Sequence, residues 1–230
     1  MMAGDRGAMG SMITSGQGTS SSNMKPTQMC EPPTLDEIRL ALAARPPAPL
    51  PEPQPKTAAV AMVLRPGYEG LTVLFIRRAE CPDDFWSGHV ALPGGRAEPG
   101  ESSIETAVRE TAEEVGLDLR RLGEMLGGLD EIQAVGRGRA MGLSIRPWVF
   151  ALREQPPPFT LSDEVASAHW VPLRDLLDPA RRAPFPYVHE GSEVILPSIR
   201  VGGLVIWGLT YQMIEGFQRM LGMEPADQVR

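Results

Sequence analysis

A chain of 230 residues has room for one sizeable domain with extensions or for two small ones, and 42% hydrophobic with 22% charged residues is an ordinary globular composition. The formal net charge of −7 argues against a general binder of nucleic acid or of anionic membrane surfaces. No apolar run approaches the roughly 20 residues of a membrane span, the N-terminal segment lacks a secretory core, and Cys30 with Cys81 makes neither a disulfide framework nor a zinc site, so the expected compartment is the cytoplasm.

Residues 1–33 are rich in Ser, Gly, Met and Pro without periodicity and are expected to be disordered. Over 34–56 a short helix and a linker are expected. Thr34 and Glu37 fit a capping box, Ile38 and Leu42 share a helical face, and Pro46 and Pro47 stop the helix before the stiff, extended "APLPEPQPK". A compact domain is expected over 57–222, with 223–230 as a tail. It opens with "AAVAMVLR" (58–65) and "LTVLFIRR" (71–78), a hairpin around the turn signal "PGYEG". Further strands are expected at 124–133 and 144–152, with "AVGRGRAMG" (134–142) as a flexible loop between them. "VASAHWVPL" (165–173) predicts another strand, "RDLLDP" a short helix, and 204–221 a strand passing into a helix. Strands interleaved with two or three helices predict an α+β fold, or a mixed α/β/α sandwich, with no internal repeat.

The segment "GGRAEPGESSIETAVRETAEEVGLDL" (94–119) breaks the pattern. "GGRAEPGE" reads as loop, Ser102 with Glu105 as a capping box, and Gly116 as the left-handed stop of a helix. Ile104, Ala107, Val108, Ala112 and Val115 are expected on the inward stripe, with Thr111 inside it. Glu110, Glu113 and Glu114 crowd one adjacent sector in the last two turns, where like charges and the helix dipole both disfavour them. A solvated charged face is the plain reading of a Glu-rich helix. Clustered carboxylates also suit a hard divalent cation, which relieves the repulsion.

Gly95, Glu101 and the run Arg109-Glu110-Thr111-Ala112-Glu113-Glu114-Val115-Gly116-Leu117 match the pattern G-x5-E-x7-R-E-U-x-E-E-x-G-U, where U is a bulky aliphatic. The chain therefore resembles the Nudix family; Thr111 at the first U position is the one departure. The resemblance implies an α/β/α sandwich around a mixed sheet and metal-dependent hydrolysis of a nucleoside diphosphate linked to another moiety. It further implies Glu110, Glu113 and Glu114 as ligands of Mg²⁺ or Mn²⁺ with the Gly94 carbonyl as a further oxygen. Arg109 is then expected to orient a catalytic glutamate, and Glu101 to tie the loop to the helix. A homodimer is an expectation by analogy alone.

Upstream, "LFIRRAECPDDFWSGHVALPGGR" (74–96) is similar to the signature of the coenzyme A pyrophosphatase branch, L-L-T-x-R-[S/A]-x3-R-x3-G-x3-F-P-G-G. Arg78-Ala79, Gly88 and Pro93-Gly94-Gly95 match. Asp83 (or Asp84) stands at the second Arg position, Leu92 replaces Phe, and one extra residue is present. A lost guanidinium matters because it grips phosphate well. "SDEVASAHWVPLRDLLDP" (162–179) and "VIWGLTYQMIEGF" (205–217) also resemble that branch. Coenzyme A is thus one candidate substrate, beside ADP-ribose, a nucleotide sugar or a dinucleotide.

Outside the box, Glu164 is a candidate metal ligand or general base, weighed against a solvated loop acid. Arg78 and, more weakly, Arg77 are candidate phosphate or base contacts, and Trp86 and His89 candidate substrate contacts. Trp170 and Trp207 read as core in preference to base-stacking platforms, and Arg137 and Arg139 as a solvated loop in preference to phosphate contacts. A nucleotide-sensing Nudix module is the non-enzymatic alternative, against which all three glutamates stand. A structural or RNA-associated role for the N-terminus is disfavoured by the acidic charge.

Overall fold

The computed structural model describes residues 31–82, 86–136, 139–189 and 192–223. The expectations for residues 1–30, 224–230, Asp83, Asp84 and Arg137 fall outside the described residues. No described helix is long and apolar enough to cross a membrane.

Helix α1 (Leu35–Ala43) starts at the expected capping box, with the Glu37 amide donating to Thr34 Oγ1 and the Thr34 amide to the Glu37 carboxylate at 2.7 Å. Nine residues are too few for a stable helix in isolation. Ile38 and Leu42 are buried in the main core, and two such side chains contribute roughly 3–6 kcal/mol. The proline-rich segment that follows is fastened rather than free. The Ala48 amide donates to Asp130, the Leu50 amide to Glu131, and Arg45 pairs with Asp130 at 2.7 Å.

Strands β1 (Lys56–Gly67) and β2 (Gly70–Arg78) form the expected antiparallel hairpin, closing at Gly67–Gly70. Short strands β3 (Val90–Ala91) and β4 (Gly94–Arg96) follow, then α2 (Ser103–Val115) and α3 (Leu119–Leu122). The expected strand 124–133 divides into β5 (Gly123–Gly128) and β6 (Ile132–Gly136). Between them the Leu129 amide turns to Pro147 and that of Glu131 to Ala48.

The expected loop 134–142 is overturned. Strand β6 runs into it, and β7 (Arg139–Leu152) begins there, with Val135 opposite Ala140 and Gly136 opposite Arg139. Exposed Val135 and Met141 show why no hydrophobic alternation marked this hairpin. Strand β8 (Val165–Pro172) and helix α4 (Leu173–Leu177) lie where expected. Strands β9 (Arg182–His189) and β10 (Ser192–Val201) were not expected; β11 (Leu204–Trp207) and α5 (Gly208–Met220) are the last of the described elements.

The described strands form a mixed sheet along the path β3-β2-β1-β7-β5, with β4 beside β1, β6 beside β7 and β8 beside β2, and a separate antiparallel sheet ordered β11-β10-β9. Pairing of β1 with β7 is parallel; the other pairings are antiparallel. Alternation along β1 sends Val60, Met62 and Leu64 to one core and Ala59, Ala61 and Val63 to another. Side chains of α1 and α5 fill the first, and Ala107, Val108 and Val115 of α2 the second. The result is an α+β fold of three layers, helix–sheet–helix. It contains more helices than the two or three expected.

One detail of α2 is corrected. Ala112 is exposed and Ile104 only half-buried, whereas Thr106, Thr111 and Glu114 are buried with Ala107, Val108 and Val115. The buried arc is rotated towards Thr111, whose hydroxyl donates to the Ala107 carbonyl at 2.7 Å and so enters the interior satisfied.

Candidate active site

The capping box at Ser102 and Glu105 starts α2, and Gly116 ends it at φ 71°. That fixes the helical phase which aims Glu110, Glu113 and Glu114 at a cavity of about 600 Å³ beside β1, β4 and β7. Burial then differs sharply along the sector: the Glu114 side chain is 5% exposed and that of Glu113 58%.

Glu114 accepts a hydrogen bond from the Gly94 amide at 2.9 Å, and Arg78 Nη1 stands 3.9 Å away. Burial outweighs both and pushes its carboxyl up to about 7, with the Glu110 and Glu164 charges adding to the rise. Burial likewise raises Glu110. At Gly94 it is thus the N–H whose partner is plain, and φ is +152°. A Cβ there would meet the Ala59 carbonyl oxygen at 2.3 Å and Val60 Cα at 2.5 Å, so only glycine fits.

Arg109 does not line the cavity but organises its wall. Nε and Nη2 grip Glu101 at 2.9 and 3.0 Å, Nη1 reaches both Glu110 and Glu113 at 3.0 Å, and Nη2 also donates to the Arg96 carbonyl. Glu101 accepts further from the Glu98 amide and the Thr106 hydroxyl, which ties loop to helix. The Arg109 fork holds the Glu101 carboxyl down at about 2. A depressed acid stabilises the fold above its unfolded-state pKa, and that contribution is lost as pH falls from about 4.5 towards 2. Glu101→Gln should therefore lower the melting temperature at pH 7 and shrink the difference from wild type as pH approaches 2. Thermal unfolding across that range checks this; a constant difference would refute the assignment.

Glu164, exposed at the start of β8, also lines the cavity, as do Arg78, Trp86 and His89. Arg77 does not. It is exposed, because successive side chains on β2 leave opposite faces. Arg139 is exposed and lies off the cavity as well. Trp170 packs with Phe159 and under Arg65, in keeping with a core residue. Trp207 is instead half-buried and part of the cavity wall, which departs from the core reading favoured for it. The aliphatic floor (Val60, Leu143 and Ile145) and the helical flank (Thr210 and Met213) were also not singled out. Alternation at 58/60 and 143/145 is the signal that would have placed the floor.

The donor set fits a hard divalent cation: four carboxylates line the cavity against two cations, Arg78 and Arg96. Among the described residues no three acidic side chains yet converge into a metal cluster. Glu110 and Glu113 both accept from Arg109 Nη1, so each carboxylate would have to be shared between that donor and the ion.

A three-layer α+β fold with a cavity lined by the carboxylates of α2 defines the class. The NUDIX domain profile matches residues 54–190, and the chain belongs to the Nudix family. It is 46% identical over 110 residues to an uncharacterized protein of Schizosaccharomyces pombe, covering 46% of this chain and 33% of that one. It is 38% identical over 101 residues to the peroxisomal coenzyme A diphosphatase ndx-8 of Caenorhabditis elegans, covering 43% and 41%. Identity to the uncharacterized Nudix hydrolase NudL of Yersinia pestis is 31% over 144 residues, covering 62% and 69%. The chain thus spans less than half the length of the first two relatives. Among solved structures, a MutT/nudix family protein from Enterococcus faecalis matches with a TM-score of 0.46 at 21% identity, over 83% of this chain and 70% of that one. An Ap4A hydrolase of C. elegans matches with a TM-score of 0.42 at 23% identity, over 53% and 83%.

Proposed function

We propose that the protein hydrolyses the phosphoanhydride of a nucleoside diphosphate linked to a second moiety, of the coenzyme A type or a relative such as ADP-ribose, a nucleotide sugar or a dinucleotide, with Mg²⁺ or Mn²⁺. The observation that carries this is Glu114. A buried carboxyl that shares a cavity lining with Glu110 and Glu164 and is raised by their charges is costly unless a cation and an anionic substrate share the site. Glu110, Glu113 and Glu114 would hold the ion, which would supply neutralisation of charge on the phosphoryl oxygens and a more acidic water.

The chain's own residues do the rest. Arg109, clamped by Glu101, sets the directions of the Glu110 and Glu113 carboxylates. The Gly94 amide orients that of Glu114, and the Gly94 carbonyl is a candidate further ligand. Arg78, which lines the cavity beside Glu114, is the candidate phosphate contact. Glu164 is the candidate base that takes the proton as water attacks phosphorus. The bridging P–O bond breaks, and a nucleoside monophosphate leaves with the phosphorylated remainder.

The test is Mg²⁺- and Mn²⁺-dependent cleavage of coenzyme A, ADP-ribose, UDP-glucose and a dinucleotide, with products identified by mass. Cleavage of coenzyme A to 4′-phosphopantetheine and 3′,5′-ADP would show that the arginine replaced by Asp83 is dispensable. Cleavage of another diphosphate alone would mark a changed substrate. Failure on all four with both metals would overturn the proposal.

A further inference from the structure

Trp207 closes the end of β11 and caps α5, and it takes no part in the carboxylate chemistry. Three rings converge on its indole. His89 lies 4.5 Å away by centroid, Phe185 4.7 Å and Tyr187 5.1 Å, tilted by 53°, 30° and 42°. They come from distant parts of the chain. His89 directly precedes β3, and Phe185 with Tyr187 projects from one face of β9, two residues apart.

The backbone beneath is pinned. Ser198, opposite Trp207 in the ladder, donates its hydroxyl to the Ala183 carbonyl of β9 at 2.8 Å. One helical turn after Trp207, the buried Thr210 hydroxyl donates to the Val90 carbonyl of β3 at 3.0 Å. These bonds tie β9, β3 and the start of α5 around the indole. Yet Trp207 is only half-buried, and it forms cavity wall together with His89.

From this geometry we propose that Trp207 is a rigid stacking platform for the planar base of the substrate, which makes it a specificity-determining residue. The inference rests on the cavity's being the substrate site. A braced indole loses little freedom on binding, so most of the stacking energy remains as affinity. A base gains both buried area and ring–ring attraction there, whereas a flexible apolar chain gains area alone and must also be ordered. Leu143, Ile145 and Met213 already offer such a chain aliphatic lining in the cavity. The aromatic corner is therefore assigned to the base, and the carboxylate corner to the diphosphate.

Adenosine is the probe, because it carries the ring without phosphate and needs neither metal nor turnover. In ¹H NMR of the whole, metal-free protein, adenosine in the millimolar range should shift the Trp207 indole resonance and show contacts from the adenine protons to it. Ribose should do neither. The resonance is assigned among the four tryptophans by its loss in Trp207→Phe. Trp207→Leu should weaken adenosine roughly tenfold or more, and Trp207→Phe, which keeps a ring, by no more than about threefold. An unmoved Trp207 signal at about 10 mM adenosine, or a Trp207→Leu variant that binds as well as wild type, overturns the proposal. If Trp207→Leu does not fold, the wild-type spectrum still decides. Stacking without cleavage of any diphosphate would sink the hydrolase reading alone; cleavage without stacking would sink the platform alone.

Discussion

Glu114→Gln should make the metal-free protein more heat-stable at pH 8 while reducing hydrolysis by about 10³-fold or more. Burial lifts the folded carboxyl from 4.5 to about 7, so folding favours the neutral acid. The cost of ionising it is absent below about pH 4.5, grows with rising pH, and is complete above about 7. Glutamine is neutral throughout and keeps an oxygen for the Gly94 amide. The gain should therefore appear at pH 8 and vanish at pH 4, and each kcal/mol should move the midpoint by roughly 2–4 °C. Arg78, left without its neighbouring charge, offsets part of it. Thermal unfolding in chelator at both pH values, beside kcat with Mn²⁺, separates the roles. A variant that is destabilised equally at both pH values would show the carboxylate to be structural, and unchanged kcat would remove it from the chemistry.

Gly94→Ala should destabilise the fold by about 3–5 kcal/mol. The new Cβ would press against the Ala59 carbonyl and Val60 Cα, which are backbone of a strand hydrogen-bonded on both sides. Neither partner gives way without parting β4 from β1. The left-handed φ adds strain of its own. Because the Gly94 amide holds Glu114, whatever folded protein remains should also have a misplaced carboxylate. Denaturant unfolding measures the loss; a change below about 1 kcal/mol would mean the loop relaxes freely, contrary to the packing.

The helix bearing the glutamates was legible because capping, periodicity and charge crowding agree over one short segment. Its phase was nevertheless misjudged by part of a turn: of the two interior threonines, Thr111 was placed on the inward stripe and Thr106 was not. Their hydroxyls find partners inside, and no pattern of apolar letters conveys that. Strands β9 and β10 were hidden by Pro184, Pro186 and Pro197. In β9, an edge strand, Pro184 and Pro186 sit two residues apart, so both missing N–H groups fall on the same side of the strand. Pro197 lies just beyond the last pairing with β11, at Ser198 and Trp207. Missing β9 meant missing Phe185 and Tyr187, and with them the reason for Trp207 to face a cavity rather than fill a core.

The parallel register of β1 on β7, from Lys56 opposite Leu143 to Leu64 opposite Ala151, bears on how activity is acquired during folding. It joins segments far apart in the chain, with the whole glutamate helix looped out between them. Loop closure of that length must precede any reward from the contacts, so this pairing belongs among the slow steps. Ala58 and Ile145, which both line the cavity, come to lie opposite each other only when it forms. The helix, by contrast, has its caps and its arginine clamp within one local stretch and needs no such closure. A refolding chain should therefore regain helical signal before it regains a cavity, and substrate turnover should return with the last and slowest phase.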